Sequence, residues 1–196
     1  MTGGQAAQDT IAAIATPPGH GAIAIVRCSG PDARDIAARV FRSRNPLVDR
    51  VATFGAIVAA DGRTIDRGLA LAMDGPRTVS GEDVVELHVH GSPVVTRETL
   101  YALIAAGARP AEPGEFTRRG FLNGKLDLSA AEAVGDLIAA ESRAAAQAAA
   151  ANLAGGLRRL IVAQRAALAQ VLEELAGAID YPDEVAEPAR AAVLAL

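Results

Sequence analysis

The sequence predicts an α+β fold, a mixed β-sheet with helices, followed by a purely helical segment. Three observations predict it. Short Val- and Ile-rich runs alternate with stretches of helical period as far as residue 125. An Asp-Gly pair joins two of those runs as an antiparallel hairpin. Near Asp127 Ala takes over, and neither Pro nor strand-like alternation appears again until Pro182. The expected division is a mixed domain over residues 1–125 and a truncated helical domain over 126–196.

In chain order, Thr10–Thr16 is a short apolar run broken by Pro17-Pro18-Gly19-His20-Gly21. Ala22–Arg27 reads as a strand, and Ser29-Gly30-Pro31 offers a helix start with Pro at its first position. Ile36, Ala37, Val40 and Phe41 supply that helix with an apolar stripe. Phe54–Ala60 and Thr64–Met73 flank Asp61-Gly62, which is why the sheet is expected to be mixed. Val84–Val89 is a further strand, and Ser92-Pro93 opens a helix lined by Val95, Thr99, Leu103 and Ile104, with Gly107 as its cap. Beyond Asp127, Ser129 and Glu132 stand at capping-box spacing. One helix is expected from there to Leu153, a break at Gly155-Gly156, and a second helix carrying the stripe Leu157 to Ile179. Two such helices bury too little of their apolar faces, so the bundle is expected to be completed by a second subunit or by further chain.

Composition narrows the function classes. Lys+Arg 19 against Asp+Glu 23 leaves a net charge of −4, unlike a generic electrostatic DNA binder. A single Cys excludes an intramolecular disulfide and a four-Cys zinc site. Cys28 follows an apolar strand and is read as a small packed residue. No apolar run reaches the ~18 residues of a membrane helix, and no basic stretch precedes Ile11, so a cytosolic protein without a membrane partner is expected.

Two motifs fail their tests. Gly19-His20-Gly21-Ala22-Ile23-Ala24 has dinucleotide-fingerprint spacing, but it lies before a strand rather than between strand and helix, and reads as a tight strand-to-strand turn. The only Gly-Lys pair, Gly124-Lys125, is followed by Leu126, so no phosphate loop is encoded. A third motif is richer. In Glu86-Leu87-His88-Val89-His90 the two-residue strand period puts Glu86, His88 and His90 on one face. That face is read as the polar wall of a pocket or interface; the alternative is a zinc site, with His20 as a distant further ligand and a metal-dependent enzyme as its consequence.

Several unusual segments occur together and in order. They are Asp9-Thr10-Ile11-Ala12, Ala15-Thr16-Pro17-Pro18-Gly19-His20-Gly21, Ile25-Val26-Arg27-Cys28-Ser29-Gly30, Ser80-Gly81-Glu82-Asp83-Val84-Val85-Glu86-Leu87-His88-Val89-His90-Gly91, and Arg109-Pro110-Ala111-Glu112-Pro113-Gly114-Glu115-Phe116-Thr117-Arg118-Arg119. Phe121-Leu122-Asn123-Gly124-Lys125-Leu126-Asp127-Leu128, Ala131-Glu132-Ala133-Val134 and Ala178-Ile179-Asp180-Tyr181-Pro182-Asp183-Glu184 complete the series. The set closely resembles the N-terminal part of the TrmE/MnmE tRNA modification GTPases, from Asp9 to Glu184.

The resemblance implies an aminomethyltransferase-like domain that binds a 5-formyl-tetrahydrofolate or related one-carbon tetrahydrofolate and forms a homodimer. It implies a helical domain into which a GTPase domain, with its GTP, Mg and K, is inserted, and a C-terminal Cys motif. It also implies an FAD-dependent partner protein and a role in C5 modification of the wobble uridine of tRNA. The chain reaches Tyr181-Pro182-Asp183-Glu184 with neither a GTPase domain nor the Cys motif, so a shortened product or fragment without GTP hydrolysis of its own is expected. His20 stands where relatives often carry Arg or another charged residue, and His88 where a Gln can occur. Arg27, Glu86 and Lys125 match the family's folate contacts; no catalytic residue and no metal ligand is assigned. A carboxylate such as Glu86 can accept two neighbouring N–H groups from a pterin edge, and Arg27 and Lys125 suit its carbonyl or anionic parts. A dimerisation module without ligand is the other reading.

Overall fold

The structure, a computed structural model, describes residues 9–184; the outer ends of the two expected domains lie outside these residues. They divide into two compact units, one as far as Leu126 and one from Asp127.

The first unit contains a seven-stranded sheet among the described residues. In chain order its strands are β1 (Ile11–Ile14), β2 (Gly21–Ser29), β3 (Phe41–Arg42), β4 (Ala52–Val58), β5 (Thr64–Met73), β6 (Val84–Gly91) and β7 (Arg109–Pro110). They lie side by side as β3-β4-β5-β6-β2-β1-β7, antiparallel throughout except for the β1–β7 pair, which is parallel. The sheet is therefore mixed, as expected. The Asp61-Gly62 hairpin joins β4 to β5, and the Pro17–Gly21 segment turns β1 back onto β2 rather than opening a nucleotide-binding helix.

Two helices, α1 (Ala33–Val40) and α2 (Pro93–Ala105), cover one face of the sheet. The alternation of β6 makes that face apolar: Val85, Leu87 and Val89 are buried there with Val26 and Cys28 of β2, Ile57 of β4, Ile36 and Val40 of α1 and Leu103 of α2. Burial pushes the Cys28 thiol up to about 12, so it packs as a small inert side chain. α2 begins at Pro93 after Ser92, and Gly107 follows its end, as the sequence indicates. α1 starts later than expected. Asp32 N–H donates to the Thr10 hydroxyl (2.9 Å) and Ala33 N–H to the Gly30 carbonyl (3.2 Å), so Pro31-Asp32 forms a turn and the helix opens at Ala33. The last helix of this unit, α3 (Glu115–Leu122), sits beside the segment before β6, with the Asn123 amide donating to the Ser80 carbonyl (2.8 Å).

The second unit has three helices among the described residues, not two: α4 (Leu128–Ile138), α5 (Arg143–Leu153) and α6 (Gly156–Asp180). The extra break comes from Ser142, whose hydroxyl accepts from Ala145 N–H (3.1 Å) and starts a new helix. The expected Ser129–Glu132 capping box is also corrected. Asp127 caps α4 instead, accepting from Ala130 N–H and from the Ser129 hydroxyl, each at 2.8 Å. A carboxylate there satisfies an orphan amide and complements the helix dipole together, which a Ser hydroxyl does less well. α6 leaves Leu160, Ile161, Leu168, Leu172 and Ile179 more than half exposed.

Candidate functional site on the open sheet face

The face of the sheet opposite α1 and α2 carries the polar half of the strand alternation. Register sets its content. Arg27 of β2 lies opposite Glu86 of β6, and Ile25 opposite His88. Both Nε and Nη2 of Arg27 donate to Glu86 Oε1 at 2.8 Å. The pair is sheltered, with 25% of the Arg27 side chain and 12% of that of Glu86 exposed. The Arg27 guanidinium also lies over the ring of Phe116 from α3, 5.3 Å from its centroid. Arginine is thus locked by a carboxylate on one side and an aromatic face on another. Glu86 keeps its second oxygen, Oε2, directed toward His88 Nε2 at 3.4 Å. That spacing is long for a hydrogen bond and leaves Oε2 free to accept from a ligand.

Lys125, the third expected site residue, is exposed on the loop that leaves α3. Its N–H donates to the Gly120 carbonyl (2.8 Å), and its stem lies against Gly81. A Cβ on Gly81 would come within 3.0 Å of Lys125 Cγ and 2.9 Å of Asn123 Cβ, so glycine there permits the loop to approach. Arg27 and Glu86 are brought into direct contact, whereas Lys125 contacts neither of them among the described hydrogen bonds and ion pairs and shares with Phe116 only the stretch of α3 and its exit loop.

The three histidines separate. His88 faces Glu86, whereas His90 turns to Asp66 of β5, with Nδ1 at 2.8 Å from Oδ1 and its backbone N–H donating to Oδ2. His20 is exposed in the turn between β1 and β2. Among the described residues no group of three or more His, Cys, Asp and Glu side chains is arranged to hold a metal ion.

What sequence reasoning misses is the device that holds α3 in place. Arg119 and Glu115 are 3% and 2% exposed, one helical turn apart on α3. Arg119 Nη2 donates to Glu115 Oε1 (3.1 Å) and Asp9 Oδ1 (2.7 Å), while Nη1 donates to the Asp9 carbonyl (2.8 Å) and Glu82 Oε1 (3.1 Å). Arg109 of β7 binds Glu115 from the other side, with Nη2 2.8 Å from Oε1, and its Nε donates to Asp9 Oδ2 at 2.7 Å. Glu82 in turn accepts from the buried Ser29 hydroxyl (2.8 Å), which also contacts Ser80 Oγ (2.7 Å). The segment before β1, β2, β7, the segment before β6 and α3 are thereby tied together through one polar cluster. A sequence signal exists, since Glu115 and Arg119 stand at ion-pair spacing on a helix, but the same spacing is common on solvated surfaces.

The cluster carries a pH dependence. Hydrogen bonds from Arg109, opposed by burial and helped by Glu112 N–H and Arg119, hold the Glu115 carboxyl down to about 2 from its ordinary 4.5. A depressed acid stabilises the fold above its unfolded-state value and loses that contribution as pH falls toward the folded value. Between about pH 4.5 and 2 the first unit should therefore lose about 3 kcal/mol from this residue. Urea midpoints measured across that range should fall steeply in the wild type and less so in Glu115→Gln; parallel curves would contradict the assignment.

Comparison with known proteins gives the site its context. A family model described as "GTP-binding protein TrmE N-terminus" matches residues 10–125, and one described as "MnmE helical domain" matches residues 128–195. The chain is similar to the tRNA modification GTPase MnmE of Thermotoga maritima, at 47% identity over 177 residues covering 90% of this chain and 39% of the relative. It is also similar to those of Symbiobacterium thermophilum, at 51% over 181 residues (90% and 40%), and Chloroflexus aurantiacus, at 48% over 182 residues (92% and 40%). It spans about two fifths of the length of these curated relatives. With an N-terminal family match over the sheet unit and a helical-domain match after it, in that order, the chain belongs to the TrmE/MnmE family of tRNA modification GTPases.

Proposed function

We propose that the first unit binds a one-carbon tetrahydrofolate of the 5-formyl type, and that Arg27, Glu86 and Lys125 are its contacts. The observation that carries this reading is the Arg27–Glu86 pair. One carboxylate oxygen is committed to arginine and the other is open on a sheltered sheet face. Such a carboxylate is pre-oriented to accept from the adjacent N–H donors of a pterin edge, and charge-assisted bonds of this kind exceed neutral ones in strength. Arg27 acts mainly by holding Glu86, and Phe116 fixes Arg27. Lys125, exposed and cationic, meets a carbonyl or carboxylate of the ligand. When bound, the folate supplies the one-carbon unit.

Within a longer family member this segment would serve a tRNA-modifying GTPase acting with an FAD-dependent partner on wobble uridine, in the cytosol. The 196 residues carry no phosphate-loop motif, so in this reading GTP, Mg and K belong to the family's GTPase domain. No helix of the described residues is long and apolar enough to cross a membrane. The exposed apolar residues of α6 support homodimer formation.

Calorimetric titration with 5-formyl-tetrahydrofolate tests the folate reading. Glu86→Gln keeps the shape but removes the charge and half the acceptor capacity. It should weaken binding by about 2 kcal/mol or more, roughly thirtyfold. Unchanged affinity in a variant with a wild-type melting curve would remove Glu86 from the site. Light scattering tests dimerisation, which a strictly monomeric chain would contradict.

A further inference from the structure

A second feature of the open face is a basic hollow at the β3–β4–β5 edge. Arg42, Arg44 and Arg67 line a cavity of about 670 Å³ together with Phe54. No carboxylate lines it, and among the described residues none of the three guanidiniums pairs with one. Arg67 lies over the Phe54 ring, 5.5 Å from its centroid. In a chain of net charge −4, three unpaired arginines around one hollow are a local reversal of sign.

Register places the hollow relative to Glu86. Ala56 of β4 lies opposite both Arg42 and Arg67, and Leu71 of β5 lies opposite Glu86. Arg67 and Leu71 are four residues apart on β5, so all these residues share the open face. The path from Glu86 to Arg67 is about 13 Å along the strand and about 5 Å across one strand spacing. A second, smaller cavity of about 180 Å³ fills the interval, lined by Ile23, Leu69 and His88 and sharing Phe54 and Arg67 with the basic hollow. The face thus presents in sequence a pterin-reading carboxylate, an apolar and aromatic channel, and a cluster of cations.

The geometry points to this groove as the seat of the benzoyl-glutamate arm of a folate, with the basic hollow taking the carboxylates of a γ-linked oligoglutamate tail. The inference rests on the folate reading above and extends it: the preferred ligand is a polyglutamylated folate. The arm's aromatic ring matches the Phe54–Leu69 channel, and each further glutamate brings one more carboxylate to three arginines lacking an anion.

The test compares 5-formyl-tetrahydrofolate carrying one glutamate with the same folate carrying three, titrated into the 196-residue chain. The longer form should bind about tenfold more tightly, and the advantage should shrink with added salt. In Arg42→Ala/Arg44→Ala, whose altered side chains are exposed, the advantage should vanish while affinity for the single-glutamate form stays as in wild type. Equal affinity of the two forms in wild type overturns the tail site and leaves the pterin site standing. Failure of both forms to bind overturns the two together. An advantage that survives in the double variant places the tail elsewhere. Capture of a short single-stranded RNA by wild type but not by the double variant, without any glutamate advantage, reassigns the hollow to RNA and also overturns the proposal.

Discussion

Arg119→Met is expected to destabilise the first unit by about 3–5 kcal/mol, and to do so without creating a cavity. Methionine fills much of the arginine volume, so the loss measured is electrostatic. Arg119 is 3% exposed and donates to Glu115, Glu82, Asp9 Oδ1 and the Asp9 carbonyl. Its removal leaves Glu82 with only the Ser29 hydroxyl as a side-chain donor, and takes one of three guanidiniums from Glu115, itself 2% exposed. Stranding a buried carboxylate costs far more than a surface ion pair contributes, because its hydration has already been lost. Urea unfolding followed by circular dichroism gives the number. The double variant Arg119→Met/Glu115→Gln separates the causes: it should recover part of the loss, since the stranded charge goes with its partner. A single variant within 1 kcal/mol of wild type, roughly the worth of an exposed pair, would show that the cluster is solvated.

The same substitution should reach the candidate site. Phe116 and Lys125 are both carried by α3 or its exit loop, and Arg119 ties that helix to the segments that lead into β1 and β6. On the folate reading proposed above, affinity for 5-formyl-tetrahydrofolate should therefore fall in Arg119→Met although Arg119 lies outside the Arg27–Glu86 pair.

The parts of the fold that could be read from the sequence are those set by local period and turn chemistry. Thr64–Met73 and the Asp61-Gly62 turn need no long-range information, and the alternation of Val84–Val89 by itself separates core from open face. The Arg27–Glu86 contact is different in kind. The resemblance names both residues as ligand contacts but not their pairing, because register between strands 59 residues apart is not written in either strand. The helix starts failed where two capping groups competed. Asp127 and Ser129 both suit a cap, as do Pro31 and Ala33 a first turn, and the winner is decided by neighbours such as Thr10. The Arg119 cluster and the basic hollow were illegible for a common reason. Each gathers charges from elements distant in the chain, and charge alone does not say whether a residue is buried, paired or free.

Register also produces the strictest steric demand in the unit, and with it a second large effect. Gly55 of β4 and Gly68 of β5 face each other across the hairpin. A Cβ on Gly68 would lie 2.0 Å from the His88 carbonyl oxygen of β6, and one on Gly55 would lie 2.4 Å from the Arg42 carbonyl of β3. Both obstacles are backbone, so no side-chain rotation relieves them. Gly68→Ala must push β5 away from β6 at the point where His88, Leu69 and Phe54 form the channel floor. The expected cost is about 3 kcal/mol, at the upper end for overpacking, because strand separation breaks ladder hydrogen bonds as well as packing. Gly62→Ala, at the tip of the same hairpin, serves as the control: no atom lies within 4 Å of its Cβ position, and only its φ of +85° opposes a side chain. Its cost should be about 1 kcal/mol. Melting temperatures of the two variants should therefore differ clearly, with Gly68→Ala the lower. Equal values would mean that the strands part freely at this point, and the close β5–β6 approach that shapes the open face would not hold in solution.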